Sequence, residues 1–135
     1  MAAAMSAVAA HWDPISEQLS VANCGHVAPL IIRADRSSER LRVPEGRGLG
    51  GRSSPKPTEQ TFSLTQGDRL VMVSDGVVAD EEGKAGLGID GMAKAALRSK
   101  RATAADTVRR VHQAVLKASG GDLEDDATVV CLAVT

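Results

Sequence analysis

Residues 70–76, Leu-Val-Met-Val-Ser-Asp-Gly, place four consecutive apolar side chains just before a serine, a carboxylate and a glycine. A strand that is buried on both faces loses the usual alternation of apolar and polar residues, so this run predicts a central strand. Gly76 predicts a sharp turn, because glycine adopts backbone angles that other residues avoid. The stretch therefore predicts a buried strand whose end exposes Asp75.

A second acidic stretch, near the C-terminus, has the reverse order. Residues 123–128, Leu-Glu-Asp-Asp-Ala-Thr, precede the apolar run Val-Val-Cys-Leu-Ala-Val at 129–134. If the two strands pair antiparallel, the end of the first and the start of the second meet at one edge of a sheet. Asp75 and Asp125 would then lie together, and carboxylates gathered in this way suit a hard divalent cation. The alternative for each carboxylate is an ordinary solvated turn beside a strand.

Composition and length exclude several classes of protein. The chain has 135 residues, which predicts a single domain over 1–135, and its formal net charge is −1 with 1% aromatic residues. Without a basic stripe or an aromatic platform, we expect no nucleic-acid partner. Residues 1–10 lack the basic start and long apolar core of a signal peptide or membrane span. Cys24 and Cys131 lie in apolar runs typical of buried free thiols, which favours a reducing cytoplasm.

The first half of the chain reads as strands joined by turns. The predicted strands are 6–11, 19–23, 29–33, 41–43 and 61–64. We expect 41–43 to return along 29–33 as a hairpin, and 61–64 to join the central strand as a meander. Residues 44–60 are rich in glycine and proline and predict a long surface loop.

The second half adds two helices before the last strand. Asp90 is predicted to cap a helix through 92–97. Thr103 and Asp106 resemble a capping box at the start of the clearest helix, which Gly120 and Gly121 end. Strands followed by helices and a returning strand predict an α+β fold with antiparallel sheets and helices on the outside.

Four short motifs together resemble a known family. They are Ala-Asn-Cys-Gly-His at 22–26 followed by Pro29, Gly-Asp-Arg-Leu at 67–70, Ser-Asp-Gly-Val at 74–77 and Asp-Asp-Ala-Thr at 125–128. In this order, with a long helix between the last two, they resemble the metal-dependent PP2C-type serine/threonine phosphatases. More narrowly, they resemble the bacterial branch typified by SpoIIE and RsbU. The family commonly has Ala at the position of Cys24 and Pro at that of Val27.

The resemblance implies a fold, a cofactor and a reaction. The fold would be part of an α/β/β/α sandwich, and the cofactor Mn²⁺ or Mg²⁺, bound as a pair whose bridging water attacks phosphoserine or phosphothreonine. Asp75 and Asp125 match metal ligands of the family, with Gly76 and Asp126 as their supporting neighbours. The substrate would be a phosphorylated regulatory protein of the anti-sigma antagonist kind, which implies a role in sigma-factor regulation. His26 is assigned no catalytic role and is interpreted as a structural residue at a strand end.

The chain also departs from the family pattern. The first half of the family carries an Asp-x-x-Gly motif whose aspartate bridges both metals, and nothing upstream of Asn23 matches it. The literal match at 80–83, Asp-Glu-Glu-Gly, follows the Ser-Asp-Gly motif and is interpreted as coincidence. We therefore expect the C-terminal half of a phosphatase domain, which would hold a single metal weakly. The alternative is a non-catalytic remnant or partner-binding half-domain, completed by a second chain or by another copy that exchanges strands.

Overall fold

The computed structural model describes residues 5–43, 48–50, 56–78, 86–123 and 125–135. Its elements are β1 (Ala7–Asp13), β2 (Gln18–Cys24), β3 (Leu30–Ile32), β4 (Ser38–Arg40), β5 (Glu59–Ser63), β6 (Arg69–Val73), α1 (Asp75–Val78), α2 (Gly88–Leu97), α3 (Ala104–Ala118) and β7 (Val129–Ala133). The α+β class with antiparallel sheets is confirmed. None of the helices in the described ranges is long and apolar enough to cross a membrane.

The first compact unit comprises Met1–Ala28 and Leu41–Thr65 and contains the sheet β1-β2-β5. Asp13 forms the turn between β1 and β2, because its carboxylate accepts bonds from Ile15 N at 2.9 Å and Ser16 Oγ at 2.7 Å. Along β2, Leu19 and Val21 are fully buried while the residues between them are half-exposed. This alternation is expected of a strand in a sheet that has one face exposed to solvent and the other packed against the core.

The second compact unit comprises Pro29–Arg40 and Gln66–Thr135 and contains the sheet β4-β3-β6-β7 together with the helices. β3 and β6 lie at its centre, and both are buried almost throughout. Helix α3 contacts β7 and α2, and α2 contacts β3. The core of this unit is formed by Leu30, Ile31, Ile32, Leu70, Val71, Val73, Val77, Met92, Ala96, Val111 and Val115.

Two predicted strand connections are wrong. The partner of β3 in its hairpin is β4, residues 38–40, and not 41–43. Arg36 adopts a positive φ of 70° in the tight turn after β3, so the chain returns at once, and Leu41 is buried in the first unit instead. The meander is also wrong, because β5 pairs with β2 whereas β6 pairs with β3 and β7. β6 is buried almost throughout and pairs with β3, which is also buried. In contrast, β5 exposes every second residue.

The helix boundaries differ in detail from the prediction. Asp90 lies in the first turn of α2, and Leu87 occupies the capping position without a side-chain bond. Thr103 caps α3 as expected, since its hydroxyl accepts from Asp106 N at 3.2 Å. Gly120 and Gly121 follow the end of α3 with φ of 67° and 94°, a conformation that favours glycine. Residues 44–47 and 51–55, within the predicted surface loop, lie outside the described residues.

Candidate metal centre

The end of β6 and the start of β7 meet as the sequence predicts. Val73 is the register partner of Val129 in the antiparallel ladder. Beyond that pair, Ser74 N donates to Thr128 O at 3.0 Å, and Thr128 N donates to Ser74 Oγ at 2.8 Å. These two bonds hold the segment that carries Asp75 against residues 125–128.

Gly76 is needed for space and not for unusual backbone angles. A Cβ atom at Gly76 would lie 2.3 Å from the carbonyl oxygen of Asp126, far inside contact distance. The same carbonyl accepts a bond from Ser74 Oγ at 3.2 Å. The chain does turn here, because Val77 N donates to Ser74 O at 3.1 Å at the start of α1, but the φ of Gly76 is not positive, so the turn does not depend on backbone angles that only glycine favours. The glycine lets the two segments touch.

The two predicted ligand carboxylates are both exposed. Oδ1 of Asp75 accepts from Gly76 N at 3.0 Å, and Oδ1 of Asp125 accepts from Asp126 N at 2.8 Å. Oδ2 of each carboxylate accepts no hydrogen bond from the residues that the structure describes. A cleft of about 560 Å³ opens beside Asp125, lined by Leu123 and residues 125–128. The side chain of Asp126 is exposed at the same place.

The donor set suits one cation better than two. Within the described ranges, no group of three or more His, Cys, Asp or Glu side chains is placed to hold a metal. Two carboxylates with free oxygens fit a single Mn²⁺ or Mg²⁺ that keeps most of its waters. A bridged pair needs further carboxylates, and the acidic residues 80–82 and 124 lie outside the described residues. The role of Asp75 and Asp125 as ligands stays a prediction.

The motif at 22–26 forms a loop in the first unit. The buried side chain of Asn23 accepts from His26 N at 2.8 Å through Oδ1 and donates to His26 O at 2.9 Å through Nδ2. Gly25 has a φ of 70° within this loop. Nδ1 of His26 lies 3.2 Å from Val27 O. These contacts agree with the structural role expected of His26.

The motif at 67–70 anchors the turn after β3 to the start of β6. Buried Asp68 accepts from Arg33 Nη1 at 3.0 Å and from Ala34 N at 2.9 Å. Gly67 has a φ of 92°, and a Cβ there would lie 2.9 Å from Ala34 Cβ. The motif therefore has a structural function in this chain.

Sequence reasoning missed a buried polar cluster between β6 and α3. Arg69 is 4% exposed, and its Nη1 donates to Thr107 Oγ1 at 2.6 Å. Asp106 accepts from Ser99 Oγ at 2.8 Å and from the guanidinium of Arg109. Hydrogen bonds from Ser99 and Arg109 hold the pKa of Asp106 far below its ordinary value, whereas burial lowers the pKa of Arg69. The feature of the sequence that could have indicated this cluster is Arg69, a charged residue at the start of an apolar strand.

The sequence and the fold match known phosphatase domains. A family model for stage II sporulation protein E (SpoIIE) matches residues 2–135. A search of curated proteins found no match. The fold is similar to the phosphatase domain of the cell fate determinant SpoIIE from Bacillus subtilis, with 18% identity and a TM-score of 0.75. That alignment covers 96% of this chain and 58% of the other, so this chain spans little more than half of that domain.

Two further structures share the fold. The RsbU and RsbW domains of a Mycobacterium tuberculosis protein match at 19% identity and a TM-score of 0.74, over 96% of this chain and 38% of the other. The catalytic domain of the serine/threonine phosphatase PstP, a Mycobacterium tuberculosis protein solved with 2 manganese ions, matches at 17% identity and a TM-score of 0.66, over 96% and 59%. At these identities the likeness shows the fold alone. Since the family model spans nearly the whole chain and the four motifs stand in their expected order, the chain belongs to the SpoIIE family of PP2C-like phosphatase domains.

Proposed function

We propose that this chain is part of a metal-dependent phosphatase that hydrolyses phosphoserine or phosphothreonine on a bacterial regulatory protein. The observation that carries the proposal is the pair of bonds between Ser74 and Thr128, which joins the segments of Asp75 and Asp125. Membership of the SpoIIE family supports the reaction class. The manganese bound by PstP supports a divalent cation as cofactor.

Asp75 and Asp125 would hold the cation through their free carboxylate oxygens. A bound Mn²⁺ or Mg²⁺ supplies Lewis acidity, which lowers the pKa of water and offsets the negative charge of the phosphoryl group. Other residues of the chain would hold the two aspartates in position. Ser74 and Thr128 fix the two segments, and the absence of a side chain at Gly76 lets the backbone of Asp126 approach. The open cleft beside residues 125–128 would leave room for a phosphorylated side chain.

The proposed substrate class is suggested by the family resemblance. The proposed substrate is a phosphorylated regulatory protein of the anti-sigma antagonist kind. The proposed role of the phosphatase is sigma-factor regulation in the cytoplasm. Asp75 and Asp125 are exposed, which suits a phosphorylated residue on the surface of another protein.

Hydrolysis of a phosphoserine peptide in the presence of Mn²⁺ tests the reaction. The comparison is between the purified chain, Asp75→Asn, Asp125→Asn and the matched control Asp90→Asn, which changes an exposed aspartate in α2. We expect manganese-dependent phosphate release from the chain and from Asp90→Asn, and loss of release from the other two. Equal release from all four proteins would overturn the assignment of Asp75 and Asp125.

A second candidate function is a partner-binding half-domain. The observation that favours it is β7, which pairs with β6 and, among the described residues, with no strand on its other side. No residue of β7 is fully buried, and Val130 is 48% exposed. An apolar edge strand of this kind is a template for another strand. We propose that a second copy of the chain covers this edge by pairing its own exposed strand with β7.

Light scattering tests this second candidate. A dimer that Val130→Lys converts to a folded monomer would support strand pairing at β7, since a charge on an edge strand opposes it. Ile15→Lys, at an exposed turn residue, is the control. A folded chain that is monomeric at every concentration would exclude the candidate and leave the phosphatase proposal untouched.

A further inference from the structure

A cleft of about 490 Å³ lies at the start of α3. Arg69 begins β6 and donates to Thr107 in the first turn of α3, so this end of the helix lies beside the start of the strand. The strand then runs five residues toward Asp75. At about 3.3 Å per strand residue, Arg69 and Asp75 are separated by roughly 15–20 Å. The residues that line this cleft and those that line the cleft beside Asp125 have no member in common, so the two are distinct places on the second unit.

The walls of this cleft are strongly cationic. Four lining residues carry positive charge and one carries negative charge. The lining residues are Lys100, Arg101, Thr103, Ala105, Asp106, Arg109 and Arg110. Such an excess of cationic side chains around one cavity favours an anionic ligand.

The one carboxylate of the cleft is already engaged. Asp106 accepts from Ser99 Oγ, from Arg101 N at 3.4 Å and from the guanidinium of Arg109. Its charge is therefore offset by Arg109. The side chains of the other three cations, Lys100, Arg101 and Arg110, form no ion pair with any residue that the structure describes.

Arg110 shows most clearly that an acceptor is missing. Its Nε atom is buried and has no hydrogen-bond partner in the described part of the chain. A buried donor without an acceptor is destabilising, and an anion in the cleft would supply one. Ala104 and Ala105 add two amides at the start of α3 that cannot bond within the helix.

We propose that this cleft binds a phosphoryl oxyanion, either free phosphate or the phosphate of a phosphorylated side chain. Guanidinium groups donate to phosphate oxygens in pairs, and the two negative charges of a phosphoryl dianion would be fully offset by the three unpaired cations. Neither Asp75 nor Asp125 lines the cleft, so it would recognise a phosphorylated protein or free phosphate without taking part in hydrolysis. The proposal does not depend on the proposed function.

Titration of the metal-free chain, in EDTA and at constant ionic strength, tests the proposal. One arm uses inorganic phosphate, a second a phosphoserine peptide and a third the same peptide with serine, each followed by ¹H–¹⁵N spectra. We expect saturable shifts of the amides of residues 104, 105 and 110 with the first two ligands and none with the third. Tighter binding of the phosphopeptide than of phosphate would identify a phosphoprotein as the source, and equal binding would identify free phosphate.

Charge variants separate a site from general attraction. Removing one charge-assisted hydrogen bond should weaken binding about tenfold in Lys100→Gln and in Arg110→Gln. Lys117→Gln removes the same charge from the last turn of α3 and should leave the affinity unchanged. Lys100 is exposed, so its variant remains informative if Arg110→Gln fails to fold. The proposal is overturned if phosphate causes no saturable shift, if Lys117→Gln weakens binding equally, or if the shifts map to residues 125–128.

Discussion

The backbone carbonyl of Asp126 lies 2.3 Å from the position that a Cβ atom would take at Gly76. The two residues come from segments 50 positions apart, and their approach sets how closely Asp75 and Asp125 lie. A glycine in the Ser-Asp-Gly motif is therefore required by the neighbouring segment.

Gly76→Ala should destabilise the chain by about 1–3 kcal/mol, because the new methyl group overpacks a contact made by backbone. The free energy of unfolding measured in urea checks this. Gly91→Ala is the matched control. Gly91 lies inside α2, and a Cβ there would be 3.3 Å from a side-chain atom of Leu87, not from backbone. We expect that control to change stability by less than about 1 kcal/mol. Equal stability of Gly76→Ala and the wild type would contradict the close approach.

Arg33 contacts two carboxylates that should differ in their contribution to stability. Asp68 is buried and also accepts from Ala34 N, so Asp68→Ala should cost about 1–3 kcal/mol. Glu39 is exposed, and its ion pair at 2.9 Å with Arg33 should contribute less than about 1 kcal/mol. Urea unfolding of the two alanine variants compares them directly. A larger loss in Glu39→Ala than in Asp68→Ala would show that the buried bonds are not formed.

Asp106 should make stability depend on pH in the acid range. Hydrogen bonds from Ser99 and Arg109 lower the pKa of this carboxyl below its ordinary value of 3.8, so the folded state favours the ionised form. This contribution is fully present above the unfolded pKa and is lost as the pH falls through 3.8 toward the lower folded value.

Thermal unfolding of the wild type and of Asp106→Asn between pH 7 and pH 2 checks this dependence. The wild type should melt at a higher temperature than Asp106→Asn at pH 7, and this difference in melting temperature should become smaller below about pH 4. Asp122→Asn, at an exposed residue, should show no such gap. A gap that stays constant down to pH 2 would contradict an ionised, hydrogen-bonded Asp106.

The sequence predicted those features that depend on local pattern. The apolar run at 70–73 identified the central strand, and the reversed order of acids at 123–128 identified its neighbour β7. Thr103 and the glycines at 120 and 121 marked the ends of α3, because capping and positive φ are local requirements. The family resemblance also followed from motif order and is confirmed.

Features that depend on tertiary contacts were not predictable. The meander failed because a short strand such as β5 can pair with either sheet, and register with a distant strand decides which. The role of Gly76 needed the position of Asp126, which comes from a separate segment. The anchoring roles of Asp68 and Arg69 were missed for the same reason, since their partners at positions 33, 34 and 107 lie far away along the chain.

The central claim is that Asp75 and Asp125 hold one divalent cation at a shared edge. Paramagnetic broadening of amide signals by Mn²⁺ in ¹H–¹⁵N spectra tests it most directly, because it locates the ion without requiring turnover. We predict that the signals of residues 74–76 and 125–128 disappear together at low Mn²⁺, and that Asp75→Asn or Asp125→Asn abolishes the effect while Asp90→Asn does not. Broadening of only one of the two segments, or broadening that persists in both site variants, would contradict the claim.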